Sequence, residues 1–260
     1  MRNDKAGERA SAERPLRSRR REREIGTGAA PRPRPARHRP PAEANEIAVT
    51  THESVYRGLR DRILFGAFLP GSSVTLRGLA EDMGVSPMPV REAVRRLIAE
   101  RALKMQDNRR VLVPPMTSET FEQIVFARKT LEPELAARAL DHIGPSDLRR
   151  IIAHDKAVDR AMATSNVHGY MENNFRFHFA IYERAGADTL LALVESVWLQ
   201  FGPFMRMAYN RWGTSDLEDH HQAAIAALER RDRKALRTAI AADVSQGMSF
   251  IGETVLRRTQ

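Results

Sequence analysis

Residues 79–97 read Leu79-Ala80-Glu81-Asp82-Met83-Gly84-Val85-Ser86-Pro87-Met88-Pro89-Val90-Arg91-Glu92-Ala93-Val94-Arg95-Arg96-Leu97. Two short amphipathic segments meet here at a glycine. Leu76, Leu79, Ala80 and Met83 share one face before it, and Val90, Val94, Leu97 and Ile98 form a second apolar stripe after it. Ser86 suits an N-cap and Pro87 the first helical position, where no intrahelical amide bond is lost. Pro89 is tolerated for the same reason. Two short helices joined by a glycine turn predict a helix-turn-helix.

Working outward, Val55, Leu59, Ile63 and Leu64 predict an amphipathic helix from His52 that stops at Phe65-Gly66, before the turn Leu69-Pro70-Gly71. On the other side, Ala102–Gln106 and Val111–Val113 flank the polar turn Asp107-Asn108-Arg109-Arg110 and predict a two-stranded hairpin, the wing. Past Pro114-Pro115 the pattern is helical, with helices predicted at about 118–141, 145–161, 166–185, 188–211, 216–230 and 232–253. The expected fold is mainly α: a winged helix-turn-helix over 49–116 and an all-helical bundle over 117–260, preceded by a disordered Arg/Pro-rich tail over 1–48.

Charge divides the 260 residues along the same lines. Residues 1–48 hold 13 Lys/Arg against 7 Asp/Glu, residues 49–116 hold 11 against 7, and residues 117–260 hold 18 against 19. A polyanion such as DNA is the partner expected for the first two segments, because neutralising phosphates releases condensed counterions. The absence of cysteine excludes disulfides, thiolate metal sites and cysteine nucleophiles. No run of about 18 apolar residues and no signal-peptide core is present, so the expected partners include no membrane and the expected location is the cytoplasm.

A recognition helix buries one face and aims the other at bases and phosphates. Met88, Arg91 and Arg95 lie at i, i+3 and i+7, away from the apolar stripe, and Arg77 opens the preceding helix. Arg91 is the first candidate for a base contact, since its fork can donate twice to guanine O6 and N7. Ser86, beside the free amides of a helix start, suits a phosphate. Asn108 and Arg109, with Arg110, stand at the wing tip, within reach of backbone or minor groove.

The segment also resembles the GntR family. The resemblance is carried by Tyr56-Arg57-Gly58-Leu59-Arg60-Asp61-Arg62-Ile63, Leu69-Pro70-Gly71, Leu79-Ala80 with Gly84-Val85-Ser86, and Pro89-Val90-Arg91-Glu92-Ala93 leading into Arg96-Leu97. It implies DNA contacts from Arg77, Ser86, Met88, Arg91 and the wing around Asn108 and Arg109. Met88 departs from the Ser or Thr frequent in the family, so apolar contact replaces a hydrogen bond there. The C-terminal part is similar to the FCD ligand domain of the fatty-acid-regulator-like branch, through Arg128 with Leu131-Glu132, Phe177-His178 with Ile181-Tyr182, and the region of His221, Ile225 and Arg231-Asp232.

In helical bundles, metal ligands project inward from facing helices, often at i and i+4 on one of them. Asn174 and His178 have that spacing, while His221 and Asp243 come from later helices whose buried sides are set by Ile225, Ile240 and Val244. The resemblance implies an acidic residue four before the first histidine and two further histidines; here Asn174 and Asp243 take the first and last of those places. The expected cofactor is a divalent metal, Zn²⁺, Ni²⁺ or Mn²⁺, one per chain. Two alternatives stay open: His178 and His221 are ordinary semi-buried polar groups, or His220 supplies the imidazole. Arg128 is the candidate anchor for a carboxylate effector, against the alternative of an ion pair with Glu132 at i+4. Trp198, Phe201 and Phe204 read as core around a kink at Gly202-Pro203.

These readings predict a transcriptional regulator, not an enzyme: a homodimer that binds a palindromic double-stranded operator, a repressor by preference, controlled by a small organic acid. A metal-dependent enzyme in the bundle is the competing class, but no nucleophile with an adjacent base is visible. Non-specific packaging of nucleic acid by the basic tail is a third.

Overall fold

The structure is a computed structural model, and it describes residues 42–107, 110–212 and 218–256. The first helix, α1, runs Ala42–Leu64 and so begins well before His52, inside the segment expected to be tail. β1 (Ser73–Thr75) leads directly into α2 (Leu76–Met83), which Thr75 caps by accepting the Gly78 amide at 3.0 Å. Gly84 closes α2 in the left-handed region, with φ of 64°, a conformation glycine adopts without steric cost. α3 (Pro87–Ala99) starts at Ser86 with proline in its first turn.

β2 (Lys104–Met105) and β3 (Arg110–Leu112) form the expected hairpin, but the sheet has three strands in the order β1-β3-β2. Val111 is buried at its centre, opposite Val74 on one side and Met105 on the other. Strand β1 escapes sequence reading because three residues between a turn and a helix show no alternation; only pairing with β3 makes them a strand. Val90, Val94 and Leu97 of α3 are fully enclosed along with Leu59 and Ile63 of α1, which forms the small core of this half.

The rest is helical: α4 (Ser118–Ala139), α5 (Pro145–Ala163), α6 (Val167–Tyr182), α7 (Asp188–Trp212), α8 (His220–Glu229) and α9 (Arg233–Leu256). α4, α8 and α9 pack together, α5 lies along α6, and Leu135, Ile151, Met171, Phe177, Trp198, Phe201 and Ile240 fill the interior. Trp198 and Phe201 are thus core, as read. Among the described residues no helix is long and apolar enough to cross a membrane.

Helix α7, together with α6, touches the winged half. A side chain at Gly202 would meet the Leu64 carbonyl at 2.7 Å, so α7 crosses the end of α1 at backbone distance. Around that crossing, Arg206 covers Gly66, Arg60 faces Glu195 at 3.5 Å, and Ser196 donates to the Glu100 carbonyl at 3.2 Å. The edge of Phe65 meets both His168 and Phe175.

Candidate DNA-reading face and metal centre

On the exposed face of α3, Met88 is 68% accessible and Arg91 is exposed with no ion pair among the described residues. Arg95 lies 3.3 Å from Glu92, and Arg77 on α2 lies 2.9 Å from Glu81, both pairs being well exposed. Such pairs are worth at most about 1 kcal/mol and yield readily to a phosphate. The Ser86 hydroxyl makes no capping bond, and because Pro87 and Pro89 carry no N–H, it and the Met88 amide are the donors that the first turn of α3 leaves open to an anion. Arg96 is different: it is held by Glu53 at 2.8 Å and stacks 3.5 Å from the Tyr56 ring centroid, so it ties α3 to α1. Asn108 and Arg109 lie outside the described residues.

In the helical half, α6, α8 and α9 bring His178, His221 and Asp243 together, with one ligand atom from each within 4.8 Å of the others. His178 Nε2 is 3.2 Å from Asp243 Oδ2, and His221 Nε2 is 3.8 Å from Asp243 Oδ1. Ligands of a tetrahedral ion with bonds of about 2.0–2.1 Å stand about 3.3 Å apart, so the His178–Asp243 spacing fits, and the wider gap at His221 would close on binding. The hydrogen bonds behind the imidazoles fit it too. His178 Nδ1 is 3.1 Å from the Tyr182 hydroxyl, which donates to Glu132 at 2.9 Å and therefore accepts from the imidazole. His221 Nδ1 donates to Asp155 at 3.0 Å. Both rings are thereby held with Nδ1 protonated and Nε2 turned toward Asp243, where a metal would replace the proton that Nε2 shares with the carboxylate, the orientation metal-ligating histidines take.

Electrostatics favour a positive charge at this point. Burial pushes the Asp243 carboxyl up, but the hydrogen bond and charge of His178, with His221 and Arg128, outweigh it and hold it far below the usual aspartate range. Burial pushes His221 down, and the Asp155 hydrogen bond with the charges of Asp243, Asp155 and Asp219 more than offsets it, leaving the pKa raised. Asn174 is buried beside the cluster, its amide reaching only the Met205 sulfur at 4.0 Å. His220 is not part of the cluster of ligand atoms.

Arg128 is buried, and two of its nitrogens face the two oxygens of Glu132, which also accepts from Tyr182 and from Trp198 Nε1 at 3.2 Å. The i+4 ion pair, one of the two sequence readings, is therefore present. The guanidinium lies against the rings of both Phe201 and Trp198, at 4.1 and 4.6 Å from their centroids, while Nη1 reaches the Met248 sulfur. Its place at the edge of the cavity survives; a free fork for an effector carboxylate does not.

The cavity has two lobes that share Tyr170, Asn174, Asp243 and Gln246. An outer lobe of about 270 Å³ includes His221, and an inner lobe of about 60 Å³ reaches His178 and Arg128. Sequence reading missed Asp155 and the part Glu132 plays. The signal for both was a carboxylate on an apolar stripe: Asp155 falls between Ile151 and Val158 on α5, and Glu132 between Ile124 and Leu135 on α4.

The profile of bacterial regulatory proteins of the gntR family matches residues 51–113, and that of the FCD domain matches residues 123–246. The chain belongs to the GntR family. It is 26% identical over 200 residues to the HTH-type transcriptional regulator McbR of Escherichia coli K12, spanning 76% of this chain and 90% of McbR. The solved structure of E. coli McbR/YncC superposes with a TM-score of 0.73, covering 78% of this chain and 97% of that one. The transcriptional repressor GlaR of E. coli K12 is 24% identical over 186 residues, 68% of this chain and 84% of GlaR. These relatives are regulators, so this GntR-family chain is a DNA-binding transcriptional regulator with an FCD effector domain, and the enzyme reading finds no support in them.

Proposed function

We propose that this regulator is a repressor that binds a two-fold operator as a homodimer in the cytoplasm, and releases it when a small organic acid enters the FCD cavity beside a divalent metal. The observation that carries the metal is the hydrogen-bond backing of His178 by Tyr182 and of His221 by Asp155, which turns two Nε2 atoms on one carboxylate. His178, His221 and Asp243 would hold Zn²⁺, Ni²⁺ or Mn²⁺, one per chain, with Asn174 beside them. Bound there, the ion supplies a positive centre for an acid group, a role that Arg128, already engaged by Glu132, does not take alone.

For the operator, the support is an arginine-bearing face on α3 with Arg91 unpaired among the described residues, and the Ser86 hydroxyl with the Met88 amide beside it. Arg77, Met88 and Arg95, with Asn108 and Arg109 on the wing, complete the proposed contacts. The proposed division is 49–116 for DNA and 117–260 for the effector, supported by the residues the two profiles match, with 1–48 a tail that adds no specificity.

Selection of bound DNA from a random pool, with native mass spectrometry and metal analysis of the same preparation, tests the proposal. Enrichment of a palindrome by a dimer holding one metal per chain is expected, and His178→Ala should lose the metal while still selecting DNA. An apo monomer that enriches nothing would overturn it.

A further inference from the structure

We infer that the effector carries a positively charged amine, seated in the outer lobe, as well as its acid group. The inference rests on the reading of this cavity as the effector site and adds the second half of the ligand's chemistry. Among the described residues five carboxylates line the outer lobe, those of Asp155, Asp159, Glu218, Asp219 and Asp243, and no lysine or arginine does. Three of the five are committed: Asp155 to His221 and Gln222, Asp219 to the Gln222 amide at the start of α8, and Asp243 to the two histidines. Asp159 and Glu218 form no ion pair with a lysine or arginine among the described residues, and the single imidazole near Glu218, that of His220, stands 3.9 Å away. Even with a divalent ion at the histidines, the lobe keeps an excess of negative charge.

The strain of that excess registers on Asp159, whose carboxyl is pushed up by partial burial and then by the charges of Asp155 and Asp219. A second feature points to a ligand independently of the acids. Asn174 is only 8% exposed and lines both lobes, yet its only polar partner is the Met205 sulfur at 4.0 Å, a weak one. Its carbonyl has no donor among the described residues, so an acceptor is left to the cavity that the residue lines. Tyr170, also in both lobes, adds an aromatic ring.

Carboxylates, a vacant carbonyl and a ring form a complementary surface for an ammonium group, which has three donors and no acceptor. A dicarboxylate would instead bring its second charge against Asp159 and Glu218. The lobe, at about 270 Å³, lies at the small end of ligand sites, so the class is an amino-acid-like zwitterion and not a long acyl chain.

Calorimetric titration of the full chain, as purified, with straight-chain ω-amino acids and with the monocarboxylates and dicarboxylates of matching length decides the matter. The fitting ω-amino acid should bind roughly tenfold tighter than either acid of its length. With Asp159→Asn and Glu218→Gln combined, both on the exposed rim and outside the metal cluster, that preference should shrink to about twofold while monocarboxylate affinity holds or rises. A monocarboxylate or dicarboxylate that binds as tightly as the amino acid overturns the amine and leaves the effector reading intact. If no member of the three series binds, both fail.

Discussion

Arg91 and Arg96 show how little a residue type decides by itself. Both are arginines on α3, yet Arg96 is held by Glu53 and the Tyr56 ring, whereas Arg91 is exposed and unpaired. Arg91→Ala should therefore weaken operator binding by about 1–3 kcal/mol and relax the preference at one base pair, while Arg77→Ala should weaken all sequences evenly and flatten the salt dependence. Titrations of matched operators at several salt concentrations separate the two. Arg128 belongs to stability instead. Arg128→Ala leaves Glu132 buried with only Tyr182 and Trp198 as donors, and breaking a buried pair from one side costs about 3–5 kcal/mol. Urea unfolding should show a loss of that size; a loss within the range of a surface substitution would mean that Glu132 does not depend on its arginine.

At the scale of elements, two helix junctions are built on single residues. Gly202 lets α7 approach the end of α1 at backbone distance, and the methyl of Gly202→Ala would sit 2.7 Å from the Leu64 carbonyl. Overpacking of this kind costs about 1–3 kcal/mol, and because the seam joins the effector half to the DNA half, the variant should also weaken the effect of effector on operator affinity. Melting curves and gel-shift titrations with and without effector read the two parts. At the start of α5, Asp147 accepts the Gly144 amide at 3.1 Å and pairs with Arg184 at 2.7 Å. The Gly144 bond, with Arg184 and Arg150, holds its carboxyl below the ordinary aspartate value of 3.8 despite burial. The stability it contributes is thus present above that value and is lost as pH falls through the lower folded pKa. Asp147→Ala should cost about 1 kcal/mol at neutral pH and less in strong acid, where the wild-type carboxyl is protonated as well. Denaturant melts across the acid range check the sign.

For the whole molecule, the connection from cavity to DNA face is contiguous: His178 and Trp198 lie 5.4 Å apart by centroid, Trp198 and Phe201 share α7 with Gly202, and α7 meets α1. Sensing and DNA binding are then linked thermodynamically, so a saturating operator should lower effector affinity by the same factor by which effector lowers operator affinity. Calorimetry with and without operator checks the equality, and unequal factors would mean that the states measured are not the same two. The sequence by itself determined the order of helices, the helix-turn-helix and the wing, because periodicity, caps and turn residues are local properties, and it put forward as candidates Arg91, by its place on α3, and His178, His221 and Asp243, by spacing and family resemblance. Tertiary structure alone decided the third strand, which of the two readings of Arg128 holds, and the parts played by Asp155, Glu132 and Gly202. These rest on partners far along the chain, 66 residues away for Asp155 and His221 and 138 for Gly202 and Leu64, and no window of sequence contains both sides of such a contact.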